Sequence, residues 1–261
     1  MFSESYQKCF TTRLLFLVLR VRMGIIGEKN AKLGLIIGSN KFDMDILGSF
    51  KSHETETKFG PAFFLKGVNN DLIILPRHGI GNNIPPHMIN HRANISGFQK
   101  LGVKKILSIT SVGSLKLNFK PGQMLLPDDY INWSQILSFF DSTIKHIIPG
   151  LDNEFRSLIY DNINELPIAI KFNGIYIQTQ GPRLETKAEI QMMKDYGDVV
   201  GMTMAVEATL AKELEISYAN ISVIDNFCNG ITEQPLTIQE LNENQTKNSD
   251  NISRILQKLL N

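Results

Sequence analysis

Short apolar runs rich in β-branched residues recur along this chain with helical patterns between them, and that alternation constrains the fold more than any other feature. The runs are Leu35–Ile37, Leu72–Leu75, Ile106–Ile109, Gln123–Leu126, Ile175–Ile177, Val199–Val200 and Ile221–Ile224. Continuous apolarity over so few residues is what a strand buried on both faces requires. Helices are expected over Ile89–Leu101, stopped by Gly102, and over Lys187–Tyr196 behind a Thr186 cap. Two more are expected at Glu207–Leu214 and Thr237–Leu260. Strands alternating with helices predict an α/β protein with a three-layer core. Residues 131–173 carry no readable pattern.

The length of 261 residues suits one large domain, and 43% hydrophobic with 20% charged residues is ordinary globular chemistry. A formal net charge of +1 gives no electrostatic reason to expect nucleic acid or an anionic membrane as partner. An anionic substrate must therefore be held by a local cluster. Cys9 and Cys228 form no disulfide framework or zinc spacing, so a reduced, cytoplasmic setting is expected. The apolar run Leu14–Leu19, bracketed by Arg13, Arg20 and Arg22, falls far short of the ~20 residues that span a bilayer. Residues 1–22 read as an N-terminal extension, with the domain occupying 23–261.

Several strands run into polar turns. Gly38-Ser39 follows the first, Arg77-His78-Gly79 the second, and Thr110-Ser111-Val112-Gly113 the third. Thr203 stands after Gly201-Met202. Each alone is an ordinary strand end. Together, hydroxyls after three strands and an Arg-His pair after a fourth make an anion pocket, in which Arg offers a bidentate fork and His a further donor. His53, His91 and His146 have no evident partner and read as structural or surface residues.

The stretch Gln180–Asn229 is an α/β site in miniature: the turn Gly181-Pro182-Arg183-Leu184-Glu185-Thr186, a short strand, a helix, and a strand closing on Asn226. Ligands of α/β proteins sit at the carboxyl ends of strands. An amide both donates and accepts, so Asn226 can read a purine edge that presents a carbonyl beside an N–H. A turn-forming Asn is the plainer reading of that residue alone.

These pieces, IIGSN, PRHG with IPPHMINHRANI, ITSVGSL with PGQMLLPDDYI, QGPRLETKAEI, VVGMTMAVEATLAKEL and SYANISVIDNFCNG, occur in an order that resembles the trimeric purine nucleoside phosphorylases. The likeness runs from about Gly34 to the C-terminus and is strongest to the methylthioadenosine and methylthioinosine phosphorylase branch. It implies a mixed, partly barrel-like sheet, a homotrimer, and phosphorolysis of a purine nucleoside to free base and a ribose 1-phosphate. Phosphate would be a co-substrate, with no metal or organic cofactor. By position, Ser39, Arg77, His78, Thr110, Ser111 and Thr203 match the phosphate-binding set. Met202 matches the ribose-packing residue, Asn226 the base reader and Cys228 its neighbour. Leu184 stands where most relatives carry a phenylalanine near the base.

Aspartates mark adenosine-type relatives at the two base-reading positions. Asn226 and Cys228 instead imply a 6-oxopurine: inosine, guanosine or methylthioinosine. Ile238, where enzymes of ordinary nucleosides present a histidine, would give an apolar wall for a methylthio group; with Leu184 it makes methylthioinosine the first expectation. The chain departs from the family in the turn Gly38-Ser39-Asn40-Lys41-Phe42, where relatives carry a further glycine after the Ser or Thr and Lys41 adds bulk near the phosphate, and at Ala205-Val206-Glu207, which lacks a proline before the Glu. Glu207 is therefore expected to be structural or an orienter of the ribose site, and no residue is assigned as acid or base. A methylthioadenosine phosphorylase, a silent nucleoside-binding paralogue and a hydrolase are the competing readings.

Overall fold

The structure, a computed structural model, describes residues 32–38, 50–67, 71–81, 83–134 and 136–260. Residues 1–22 and Lys41 lie outside them. The apolar runs become β1 (Lys32–Ile37), β4 (Leu72–Pro76), β5 (Val103–Ser114), β6 (Met124–Leu126), β9 (Ile175–Gln178), β10 (Val199–Gly201) and β11 (Ser217–Phe227). The alternation also hid four strands: β2 (Phe50–Thr57), β3 (Gly60–Gly67), β7 (Asp129–Asn132) and β8 (Ile170–Phe172). In β2 every side chain is exposed or half-buried and, apart from Phe50 and His53, all six residues are charged or hydroxylic, so it carries no apolar run. It pairs antiparallel with β3 as a hairpin at the sheet edge.

The sheet is mixed and branches at β5. The first part of β5 lies parallel to β1, which in turn lies parallel to β4. Along nearly its whole length β5 also pairs parallel with β11, while its last residues pair antiparallel with β10. Branching curls the sheet towards a barrel, because one strand must serve neighbours in different directions.

Helices cover both faces. α1 (His91–Lys100) and α4 (Met204–Glu213) lie on one side, α2 (Asn153–Ile163) and α5 (Ile238–Leu260) on the other. Strand alternation sorts the core accordingly: Ile36, Ile73, Leu75 and Ile106 join Phe64, Phe98 and Leu210, whereas Leu33, Leu35, Ile74 and Leu107 join Phe155, Ile159 and Leu256. This is the three-layer arrangement that the sequence predicts.

Helix ends follow local chemistry. α1 starts two residues later than expected because Asn90 is its cap, accepting from the Ala93 N–H at 3.0 Å. α3 (Lys187–Met193) begins with a full capping box between Thr186 and Glu189.

Phe64 is fully buried and meets the Phe98 ring edge-on with centroids 4.9 Å apart. Truncating it leaves a cavity between β3 and α1. Phe64→Ala should destabilise the protein by about 3–5 kcal/mol, read from the urea midpoint; a loss under about 1 kcal/mol would show that the hairpin is not part of the cooperative core.

Candidate functional site

A cavity of about 310 Å³ opens where β1, β4, β10 and β11 end, with β5 as its floor. Gly38, Arg77, His78, Thr110, Ser111 and Thr203 line it together with Leu184, Met202, Asn226 and Cys228. The fold thus gathers residues scattered over most of the chain. Ser39 falls outside the described residues. Its neighbour Gly38 reaches the cavity, and a side chain there would stand 2.6 Å from Arg77 Nη1.

Arg77 is buried, and its guanidinium is almost fully committed to the protein. Nε donates to Glu207 Oε1 at 2.5 Å and Nη2 to Glu207 Oε2 at 3.1 Å. Nη2 also donates to Ser108 Oγ at 2.6 Å, and Nη1 to the Ile109 carbonyl at 3.0 Å. The expected bidentate fork is therefore turned inward, and the Nη1 end faces the cavity past Gly38. Glu207, 1% exposed, also accepts from Ser108 Oγ at 3.1 Å and Tyr218 Oη at 2.8 Å. Burial alone would raise its carboxyl, but the adjacent guanidinium holds it below the usual carboxylate range. Of the two roles expected for Glu207, its contacts are structural ones, to Arg77.

His78 Nδ1 lies 2.8 Å from the Ile84 carbonyl. A carbonyl only accepts, so Nδ1 carries a proton, and in the neutral ring Nε2 is an acceptor. Burial and then Arg77 lower the pKa of the ring. The hydroxyls expected to act as donors have internal partners. Thr110 Oγ1 lies 3.2 Å from Asn220 Oδ1 and 3.3 Å from Ser222 Oγ, and Ser111 Oγ is bonded to the buried Asp225 carboxylate.

Thr203 is different. It is the N-cap of α4 yet makes no side-chain capping bond. Tyr176 Oη accepts from the Thr203 and Met204 N–H groups at 3.3 and 3.5 Å, and Gln178 Oε1 from Val206 N–H at 3.1 Å. With that turn satisfied from β9, the Thr203 hydroxyl is left for the cavity, at a helix end that favours anions.

The other end is built by β11. Its register against β5 shifts between Ile224 and Asn226, so Asp225 is an extra residue in the strand. Such a bulge re-aims the residue after it, and Asn226 faces the cavity, its Nδ2 donating to the Phe227 carbonyl at 2.8 Å. Asn226 and Cys228 crowd Gly113, whereas Arg77 rests on Ile109. Four residues of strand put the two ends about 13 Å apart at ~3.3 Å per residue.

Glu185 also lines this end, which the sequence reading missed because the carboxylate sits inside a turn motif. It accepts from Thr179 Oγ1 at 2.6 Å, and its charge adds to burial in pushing the Cys228 thiol well above its ordinary range. Met202 packs against Gly181, whose φ of +63° and lack of a side chain permit the contact. Leu184 lies at the rim, 38% exposed.

Ile238 does not join the wall: it is 65% exposed at the start of α5, and Leu236 and Leu241 stand in the cavity instead. The helix begins at Ile238, so its inward face starts one turn later, at Leu241. Among the described residues no group of three or more metal-ligating side chains occurs, and no helix is long and apolar enough to cross a membrane.

The sequence profile described as the Phosphorylase superfamily matches residues 32–261. A probable 6-oxopurine nucleoside phosphorylase of Dictyoglomus turgidum is 37% identical, the match covering 86% of this chain and 89% of that protein. A probable S-methyl-5'-thioinosine phosphorylase of Methanocaldococcus jannaschii is 38% identical over 83% of this chain and 88% of its own. Among solved structures, a methylthioadenosine phosphorylase from an Antarctic soil metagenomic library superposes with a TM-score of 0.77 at 29% identity, covering 89% of this chain and 86% of that one.

The site also predicts an acid sensitivity. His91 is buried with Nδ1 3.9 Å from Glu207 Oε1, and burial pushes its pKa down to about 4 from 6.5 despite the pull of the Glu207 charge. The unfolded chain binds the proton more tightly, so the neutral ring's contribution is present above pH 6.5 and lost as pH falls towards 4. The full loss is on the order of 3 kcal/mol. Urea unfolding at pH 7 and 4.5 should show a smaller fall for His91→Asn than for the wild type; equal falls would clear His91 of this role.

Proposed function

The chain belongs to the phosphorylase superfamily, and from that premise we propose that it cleaves the N-glycosidic bond of a 6-oxopurine nucleoside with inorganic phosphate. The products are the free base and a ribose 1-phosphate. The observation that carries the reading is the pairing of Asn226 with Glu185 at the end of the cavity away from Arg77. A 6-oxopurine presents an acceptor at O6 and a donor at N1–H. The second N–H of Asn226 donates to O6, where negative charge gathers as the base departs, and the Glu185 carboxylate accepts from N1–H. A 6-aminopurine would turn the N1 lone pair towards that carboxylate, which disfavours a methylthioadenosine phosphorylase.

At the other end phosphate receives Arg77 Nη1–H, the Thr203 hydroxyl and N–H groups of the β5 backbone. An anion beside His78 favours the protonated ring, whose Nε2–H then donates as well. Met202 lies against the ribose between the two ends. As the C1′–N9 bond stretches, positive charge develops on the sugar above the phosphate, and negative charge on a base held by Asn226. Rate enhancement then comes from positioning and electrostatics, with no side chain required as nucleophile. No metal or organic cofactor enters this mechanism.

Leu236 and Leu241 line the wall left for the 5′ substituent. They bury a methylthio group and leave a hydroxyl unpaired, a difference of about 1–3 kcal/mol in such pockets. S-methyl-5'-thioinosine is thus the preferred substrate, in nucleoside salvage in the cytoplasm. The assembly is a homotrimer; Ile136, Ile144 and Ile148, each at least 80% exposed, and Trp133 lie in the irregular stretch before α2 and suit a subunit contact.

A panel of inosine, guanosine, methylthioinosine, adenosine and methylthioadenosine, with and without phosphate, tests the reaction. The 6-oxopurines should be cleaved only with phosphate, and Asn226→Asp should move preference towards 6-aminopurines by about tenfold or more. Turnover undiminished without phosphate would establish a hydrolase, and binding with no turnover a silent paralogue. Light scattering should give three times the chain mass; a monomer would remove the trimer.

A further inference from the structure

Glu207 touches no part of the cavity, yet it controls what Arg77 can offer there. A guanidinium has five N–H donors. Nε–H goes to Glu207 Oε1, the two on Nη2 go to Glu207 Oε2 and Ser108 Oγ, and one on Nη1 goes to the Ile109 carbonyl. One Nη1–H is left, beside Gly38. The carboxylate is itself over-determined, since Ser108 Oγ and Tyr218 Oη also donate to Oε2 and close a ring of hydrogen bonds around the pair.

We propose that Glu207 is a positioning residue for phosphate, holding Arg77 so that a single guanidinium N–H is presented end-on to the anion while the charge of the pair is balanced before phosphate arrives. The proposal rests on the phosphorylase reading for the identity of the anion. It differs from a ribose-orienting role, because every contact of the carboxylate is to Arg77, to residues behind it or to the buried His91. Glu207 comes from the same helix whose N-cap, Thr203, lines the cavity. One rigid element therefore sets two of the phosphate contacts, Thr203 directly and Arg77 through Glu207.

Charge and geometry separate under substitution. Glu207→Asp keeps the charge but withdraws the carboxylate by one methylene, so the fork follows it or breaks. Glu207→Gln keeps the length but turns an amide N–H towards the guanidinium. Positioning predicts that both weaken phosphate, by about 10- to 100-fold for a misplaced charge-assisted contact, with the nucleoside KM within about twofold of wild type. Simple charge balance predicts instead that Asp changes nothing and Gln tightens phosphate, since a nearby negative charge is gone; that result would overturn the proposal. So would unchanged phosphate binding in folded variants of lowered Tm, or a defect confined to the nucleoside. Removing one member of a buried pair can prevent folding. Tyr218→Phe spares the ion pair and loosens one bond to Oε2, and it should weaken phosphate by about two- to fivefold. Phosphate binding is read by calorimetry on each purified variant, so an absence of nucleoside turnover bears on the phosphorylase reading alone.

Discussion

Everything in the site depends on β5 serving three neighbours. Its first half is locked between β1 and β11, and its last residues cross to β10. The carbonyl of Ile109 receives Arg77, and Gly113 four residues on receives Asn226 and Cys228. The distance between the Arg77 end and the Asn226 end of the cavity is thus a property of one extended strand, which cannot stretch.

Polar groups are buried along that strand, and each is paired. Ser108 joins the Arg77–Glu207 ring, Thr110 meets Asn220 and Ser222, and Ser111 meets Asp225. Asp225 is held by Asn248 Nδ2 at 2.7 Å, and burial raises its pKa with hydrogen bonds from Ser111, Asn248 and Gln245 opposing the rise. Asn244 Nδ2 donates to its carbonyl at 2.8 Å. Through these amides α5 is pinned to the bulge that aims Asn226, and Leu241 on the same helix closes the wall. A buried polar network of this kind is costly when incomplete and specific when satisfied. It fixes where the helix sits as well as how firmly.

The layers of the fold were legible because buried parallel strands need unbroken apolar runs, and the helices between them need caps that can read locally, as at Thr186; the Asn90 cap went unread, and the helix behind it was expected two residues too early. The β2–β3 hairpin was not legible, since an edge strand half open to water can be made of Lys51, Ser52, Glu54 and Glu56. Arg77, His78, Thr203 and Asn226 could be picked out because each lies at or just after a strand end, and the fold brings all four to one cavity. Glu185 escaped notice inside a turn motif, and Ile238 was placed wrongly because a helix start is uncertain by the residue or two that separates its inner face from its outer one.

By itself the sequence determined the α/β alternation, the three layers and the polar strand ends that line the cavity, because periodicity and capping act over a few residues. Only the tertiary structure decided which donors stay free. The inward turn of the Arg77 fork, the commitment of the Thr110 and Ser111 hydroxyls, and the freedom of Thr203 all depend on partners far away in the chain. A hydrogen spent on one acceptor is unavailable to another, and that accounting closes only when distant residues are brought into contact.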